Sequence, residues 1–215
     1  MSATDNLLYL AIKYKTTLIG LTVLVICFGA GTLFWVRNQQ TREQEAALQL
    51  SRMSQNLEKG NFSIAINGDG KNAGLKKIAA EYSGKFSGTP SGNMANLLLA
   101  NAYYSMGEFD SALKAFKSVL INNDDLAAAA LAGAGDCYTS KKQLTEAAAS
   151  YLDASKKAEN SVLKAQYLIK EADSYQQLNQ LKKAFDLYTK IIADYPATSE
   201  AALAQRSLWQ ISGNL

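Results

Sequence analysis

The chain has 215 residues, 48% of them hydrophobic, and 22 basic against 19 acidic residues leave a net charge of +3. The charges are interspersed with no polybasic tract, so nucleic acid is not expected as a partner. There is no histidine, which removes Ser-His-Asp and Cys-His catalysis along with the usual zinc and haem ligand sets. No cofactor, no metal and no enzymatic activity are expected.

Residues 1–16 read as a short N-terminal tail. Residues 17–36 (TLIGLTVLVICFGAGTLFWV) carry no charge, and eleven of these twenty are Leu, Ile, Val or Phe. At 1.5 Å rise per residue, such a helix spans roughly 30 Å, the thickness of a bilayer's hydrocarbon core. Tyr14 and Trp35 stand at its two ends, where amphipathic rings are favoured, and Lys13, Lys15 and Arg37 flank it. A cleaved signal peptide would need a shorter apolar region ending in small residues. Gly29 and Gly31 give a weak version of that pattern, but the run continues through Leu33, Phe34, Trp35 and Val36. An uncleaved anchor is therefore expected. Lys13 and Lys15 balance Arg37 and Arg42, so charge does not set the orientation. Cys27 lies in the apolar run and Cys137 beyond it; each reads as a small hydrophobe.

Residues 37–92 read as a membrane-proximal helix, 41–58, followed by a degenerate repeat. Gly60, Phe62 and Ala65 give its turn signature. Asn67-Gly68-Asp69-Gly70 then interrupts its second helix, which resumes around Leu75 to Tyr82. This Asn-Gly-Asp-Gly run is no calcium loop, because Lys71 and Ile78 fall where oxygen ligands are required. Residues 83–93 read as a Gly/Ser loop.

Between 93 and 198 the sequence is self-similar. Tyr103, Gly107, Phe109, Ala112 and Phe116 align with Tyr138, Lys142, Leu144, Ala147 and Tyr151, then with Tyr175, Asn179, Leu181, Ala184 and Tyr188. Successive alanines at 112, 147 and 184 lie 35 and 37 residues apart. Asp124 and Asp125 are expected to cap the helix that follows them. The matches Ser111–Lys114 and Ser161–Lys164 read as solvated helix faces. Residues 199–215 read as a capping helix, with Leu208 and Trp209 on or near its buried side.

The pattern resembles the tetratricopeptide repeat (TPR), a helix–turn–helix unit of 34 residues. Ala100, Gly135 and Ala172 fill its small eighth position, Ala112, Ala147 and Ala184 its small twentieth, and Pro196 closes the third repeat. The fold implied is all-α: an N-terminal transmembrane helix followed by a solenoid of TPR hairpins. A single hairpin cannot bury its own apolar face, so three or more must stack. The resemblance also implies a concave partner-binding groove, lined here by Leu97, Asn101, Tyr104, Asp136, Thr139, Ile169, Asp173 and Gln176. Repeats that clamp a C-terminal carboxylate carry Lys where this chain has Leu97 and Asn where it has Gly133, so that mode is not expected in the groove.

The order of features is similar to one bacterial family, the YfgM-like ancillary subunits of the SecYEG translocon. The likeness rests on the span ending Phe34-Trp35-Val36-Arg37, the interrupted repeat at Gly60-Asn61-Phe62, the Thr89-Pro90-Ser91-Gly92-Asn93 segment and the regular repeats. It implies a single-pass inner-membrane scaffold with a cytoplasmic N-terminus and a periplasmic repeat domain. Its partners would be proteins: the SecYEG translocon and folding factors such as a membrane-anchored prolyl isomerase. An envelope-biogenesis or cell-division adaptor, and a structural subunit of a membrane energy-transduction complex, are the alternatives. The sequence leaves the oligomeric state open.

Overall fold

A computed structural model describes residues 13–80, 86 and 89–213; the expected end of the interrupted helix at Tyr82 lies outside them. The chain divides into two units, Met1–Gln44 and Glu45–Leu215. Ten helices are described, and no strand beyond an isolated bridge between Gly68 and Ala73.

Helix α1 runs unbroken over Lys15–Glu58. None of its most apolar stretch is buried: Phe28 is 76% exposed and Phe34 75%. It is long and apolar enough to cross a membrane. From Glu45 onward α1 belongs to the second unit, where Ala46 and Met53 are buried in the core.

The second unit continues with α2 (Phe62–Asn67) and α3 (Leu75–Ala80). Three hairpins follow: α4 (Pro90–Ser105) with α5 (Phe109–Lys117), α6 (Asp124–Ser140) with α7 (Leu144–Lys157), and α8 (Ser161–Gln177) with α9 (Leu181–Asp194). Helix α10 (Ser199–Ser212) ends the array. Each helix packs on its sequence neighbour from α3 to α10, and α10 also reaches α8.

The turns explain the repeat. The first helix of each hairpin ends on a left-handed residue, Gly107 (φ 76°), Lys142 (φ 62°) or Asn179 (φ 57°), and Gly60 (φ 73°) does the same after α1. The next amide then reaches back five residues: Glu108 N–H donates to Tyr103 O, Gln143 to Tyr138 O and Gln180 to Tyr175 O, each at 2.9 Å. Asn61 N–H donates to Asn56 O at 2.8 Å. These bonds satisfy carbonyls that a helix end would otherwise orphan, so the degenerate repeat closes like the regular ones. Inside each turn a fully buried alanine, Ala65, Ala112, Ala147 or Ala184, lets the paired helices approach closely.

The opening helices are capped by side chains instead. Thr89 accepts from Gly92 N–H and Asn160 from Val162 and Leu163 N–H, while Thr198 caps α10. Pro90 occupies the first turn of α4, where its missing N–H costs nothing; the first hairpin thus begins at Pro90, ahead of Asn93. At α6 the cap is Asn123, accepting from Leu126 N–H at 2.9 Å, and not the aspartates expected from sequence. Asp125 is used at longer range. Its Oδ1 accepts Glu159 N–H at 2.8 Å and Asn160 N–H at 3.0 Å, tying the start of the third hairpin to the second.

Helix α10 covers the end of the array with Ala201, Ala204 and Ile211, all buried, and with Leu208 half-buried against them. Trp209 departs from expectation, at 72% exposed. Neighbouring helical residues lie about 100° apart, so a stripe through 201, 204, 208 and 211 turns residue 209 outward.

Candidate functional site

The expected groove residues come from the opening helices of the three hairpins: Leu97, Asn101 and Tyr104 from α4, Asp136 and Thr139 from α6, and Ile169, Asp173 and Gln176 from α8. Leu97 and Ile169, expected as aliphatic anchors, are nearly enclosed at 7% and 8% exposure. Both belong to the hydrophobic cores of their hairpins and leave little surface for a partner.

The other six divide by hairpin. In the second, the Tyr151 phenol donates to Asp136 Oδ1 at 2.7 Å and lies 3.1 Å from Thr139 Oγ1. In the third, the Tyr188 phenol lies 2.6 Å from Asp173 Oδ1 and 2.7 Å from Gln176 Oε1. One phenol proton serves one acceptor well. The Gln176 amide turned over, with Nε2 donating to the phenol oxygen, satisfies all three groups. Burial raises the pKa of both phenols, so they stay protonated donors. Asp173 keeps solvent on one side, yet packing around its carboxyl lifts its pKa while the Tyr188 hydrogen bond lowers it.

In the first hairpin the equivalent ring is Phe116, which has no hydroxyl. It packs instead against the next hairpin, at Gly133 of α6. A Cβ on that glycine would lie 2.3 Å from the ring. Asn101 is accordingly exposed. Tyr104 is 36% exposed, its ring 5.5 Å from that of Phe109 and its hydroxyl 3.4 Å from Ser140 Oγ.

Lys170 of α8 was not among the expected residues. It donates to Asp136 Oδ1 at 2.7 Å and sits 5.5 Å from the centre of the Tyr151 ring, joining the second and third hairpins. Its ion pair is about one-third exposed on each side, a setting worth roughly 1 kcal/mol or less. A sequence signal for the phenol bonds did exist. Asp136 and Tyr151, like Asp173 and Tyr188, stand fifteen residues apart, whereas the first hairpin pairs Asn101 with Phe116 at the same spacing.

The described surface offers hydrogen-bond donors, acceptors and a half-exposed aromatic ring. Among the described residues, no three His, Cys, Asp or Glu side chains come together to hold a metal. Cys137 is fully buried, and burial followed by the nearby Asp136 pushes its thiol up to about 11, leaving it an unreactive core residue.

The tetratricopeptide repeat-like domain family matches residues 12–206. The chain belongs to that family. No match was found among curated proteins. Tetratricopeptide repeat-like domains are typically non-enzymatic protein-interaction modules.

Proposed function

We propose that the chain is a single-pass inner-membrane scaffold, anchored by residues 17–36, whose repeat domain binds protein partners in the periplasm. The observation that carries this reading is the pairing of two surfaces. An uncharged helical stretch keeps its large apolar side chains unburied, which bulk water disfavours and a bilayer rewards. The hairpin array presents exposed polar and aromatic groups on its opening helices, the kind of face that receives an extended peptide or partner helix. Within the groove, Asn101 and Tyr104 carry most of the partner contact. Asp136, Thr139, Asp173 and Gln176 contribute only the hydrogen-bonding capacity left over from Tyr151 and Tyr188.

The partners proposed are the Sec translocon and periplasmic folding factors, including a membrane-anchored prolyl isomerase. The support is the likeness in feature order: span, interrupted repeat, then regular repeats. Photo-crosslinking from position 104 in native membranes should recover translocon subunits or those folding factors. Recovery of neither sinks the partner assignment. Protease added to intact spheroplasts should digest the repeat domain, and protection would reverse the proposed orientation.

A further inference from the structure

One position of the opening helices changes charge along the array. It holds Asn101 in the first hairpin, Asp136 in the second and Asp173 in the third. The first is neutral. The second is neutralised within the chain: Asp136 Oδ1 accepts the Tyr151 phenol at 2.7 Å and the Lys170 ammonium, from the next opening helix, at 2.7 Å. A carboxylate at this position therefore takes an ammonium group without giving up its phenol.

Asp173 repeats the arrangement except for that ammonium. The Tyr188 phenol lies 2.6 Å from its Oδ1, and Asp173 itself is exposed. The helix that follows, α10, contains no lysine. It sets Ala204, Leu208 and Ile211 against the core around Tyr188, and its Ser207 hydroxyl bonds to the phenol. Its one cation is Arg206, which is exposed. None of the ion pairs among the described residues includes Asp173. Tyr188 is fully buried, so a partner can reach the carboxyl but not the ring behind it. A carboxylate with a neutral donor on one side and solvent on the other favours an incoming cation, whose bond to it is charge-assisted.

We propose that Asp173 is the acceptor for a lysine side chain of the protein partner. The groove then selects a segment that carries lysine opposite the third hairpin, where the chain supplies none of its own. This inference rests on the groove reading above and names the charge of the segment bound there.

The test uses the full chain in native membranes, with the photo-crosslinker at position 104. The same membranes are treated with a water-soluble carbodiimide, which joins a carboxylate to an amine in direct contact, and the products are mapped by mass spectrometry. An isopeptide bond is expected between Asp173 and a lysine of the protein captured from position 104. The intrachain bond between Asp136 and Lys170 checks that the reagent reaches such pairs. Asp173→Asn keeps an acceptor for the Tyr188 phenol, and its melting temperature checks that it folds. It should lower the yield from position 104 about threefold, the scale of an exposed ion pair. The isopeptide readout uses the parent chain and so does not depend on the variant. Capture from position 104 with no partner lysine joined to Asp173, or undiminished yield from folded Asp173→Asn, would overturn this proposal and leave the groove reading standing. No capture from position 104 at all would remove both.

Discussion

The first hairpin and the third share a backbone plan but use the polar positions of their opening helices differently. In the third, Tyr188 is fully buried and its hydroxyl engages Asp173 and Gln176. In the first, Phe116 is nearly as enclosed, carries no hydroxyl and seats on Gly133 of the following hairpin. The positions that repeat geometry offers to a partner are thus partly committed to holding the third hairpin together, and are released in the first. Inner-face polarity is therefore a poor guide to binding until the closing-helix aromatic is known.

The ring should matter more than its hydroxyl. Tyr188→Ala empties a fully enclosed site and is expected to cost about 3–5 kcal/mol, the range for large aromatic deletions. Phe116→Ala should fall in the same range. Denaturant unfolding of the detergent-solubilised chain, followed by circular dichroism, measures both. A cost below about 1 kcal/mol at either site would mean that the hairpin collapses around the gap, against the close packing described here.

A second contrast is ionic. Leu99 of the first hairpin corresponds to Glu171 of the third, which is 4% exposed with one carboxylate oxygen unpartnered. Burial pushes its carboxyl from 4.5 up to about 7, with Lys156 opposing and Asp153 adding to the rise. Between those two values the folded chain holds a proton that the unfolded chain has released, so stability falls as pH rises through this window. The full difference amounts to about 3 kcal/mol. Glu171→Gln should flatten the pH dependence of unfolding between pH 4.5 and 7, and an unchanged profile would remove Glu171 as its source.

These contrasts show what the sequence could reveal. The hairpins were legible because each needs a small residue between its helices, at Ala112, Ala147 and Ala184, and an aromatic beside it at fixed spacing. The αL turns at Gly107 and Asn179 were legible because those residues tolerate positive φ. Lys142 became visible only by alignment with them. The site was less legible. Leu97 and Ile169 look the same in sequence whether they line a groove or a core, and only the neighbouring helix decides. The cap at α6 was ambiguous because Asn123, Asp124 and Asp125 are adjacent candidates, and the register that places Asn123 before Leu126 is a matter of one residue. Glu171 carries no local mark of burial, which arises from helices packed around it.

Converting the third hairpin toward the first tests the shared hydrogen bonds directly. Tyr188→Phe, and Tyr151→Phe in the second hairpin, should each cost about 1–2 kcal/mol, since the lost bonds involve carboxylates that retain some solvent. The same substitutions release Asp136, Thr139, Asp173 and Gln176 from the phenols, while Asp136 keeps its ion pair with Lys170 and Thr139 its bond to Gly135 O. If the inner face is the partner site, crosslinking yield should hold or rise despite the lower stability. A yield that falls in proportion to stability would assign those four residues to the fold alone.

The smallest effect is expected at the turns. Gly107 of the first hairpin and Lys142 of the second occupy the same left-handed conformation, at φ 76° and 62°, and a side chain there strains the backbone by about 1 kcal/mol. Lys142→Gly relieves that strain, but it also frees the unfolded chain, so a net gain of about 0.5 kcal/mol is expected. Gly107→Ala should lose about 1 kcal/mol. Hydrogen exchange at the Gln143 and Glu108 amides, whose bonds to Tyr138 O and Tyr103 O close the two turns, reads each change locally, even where the whole array does not unfold in one step. Slower exchange at Gln143 in Lys142→Gly, with faster exchange at Glu108 in Gly107→Ala, would show that one backbone rule governs both hairpins. If Gln143 exchanges faster instead, the lysine side chain must be contributing an interaction that outweighs its strain.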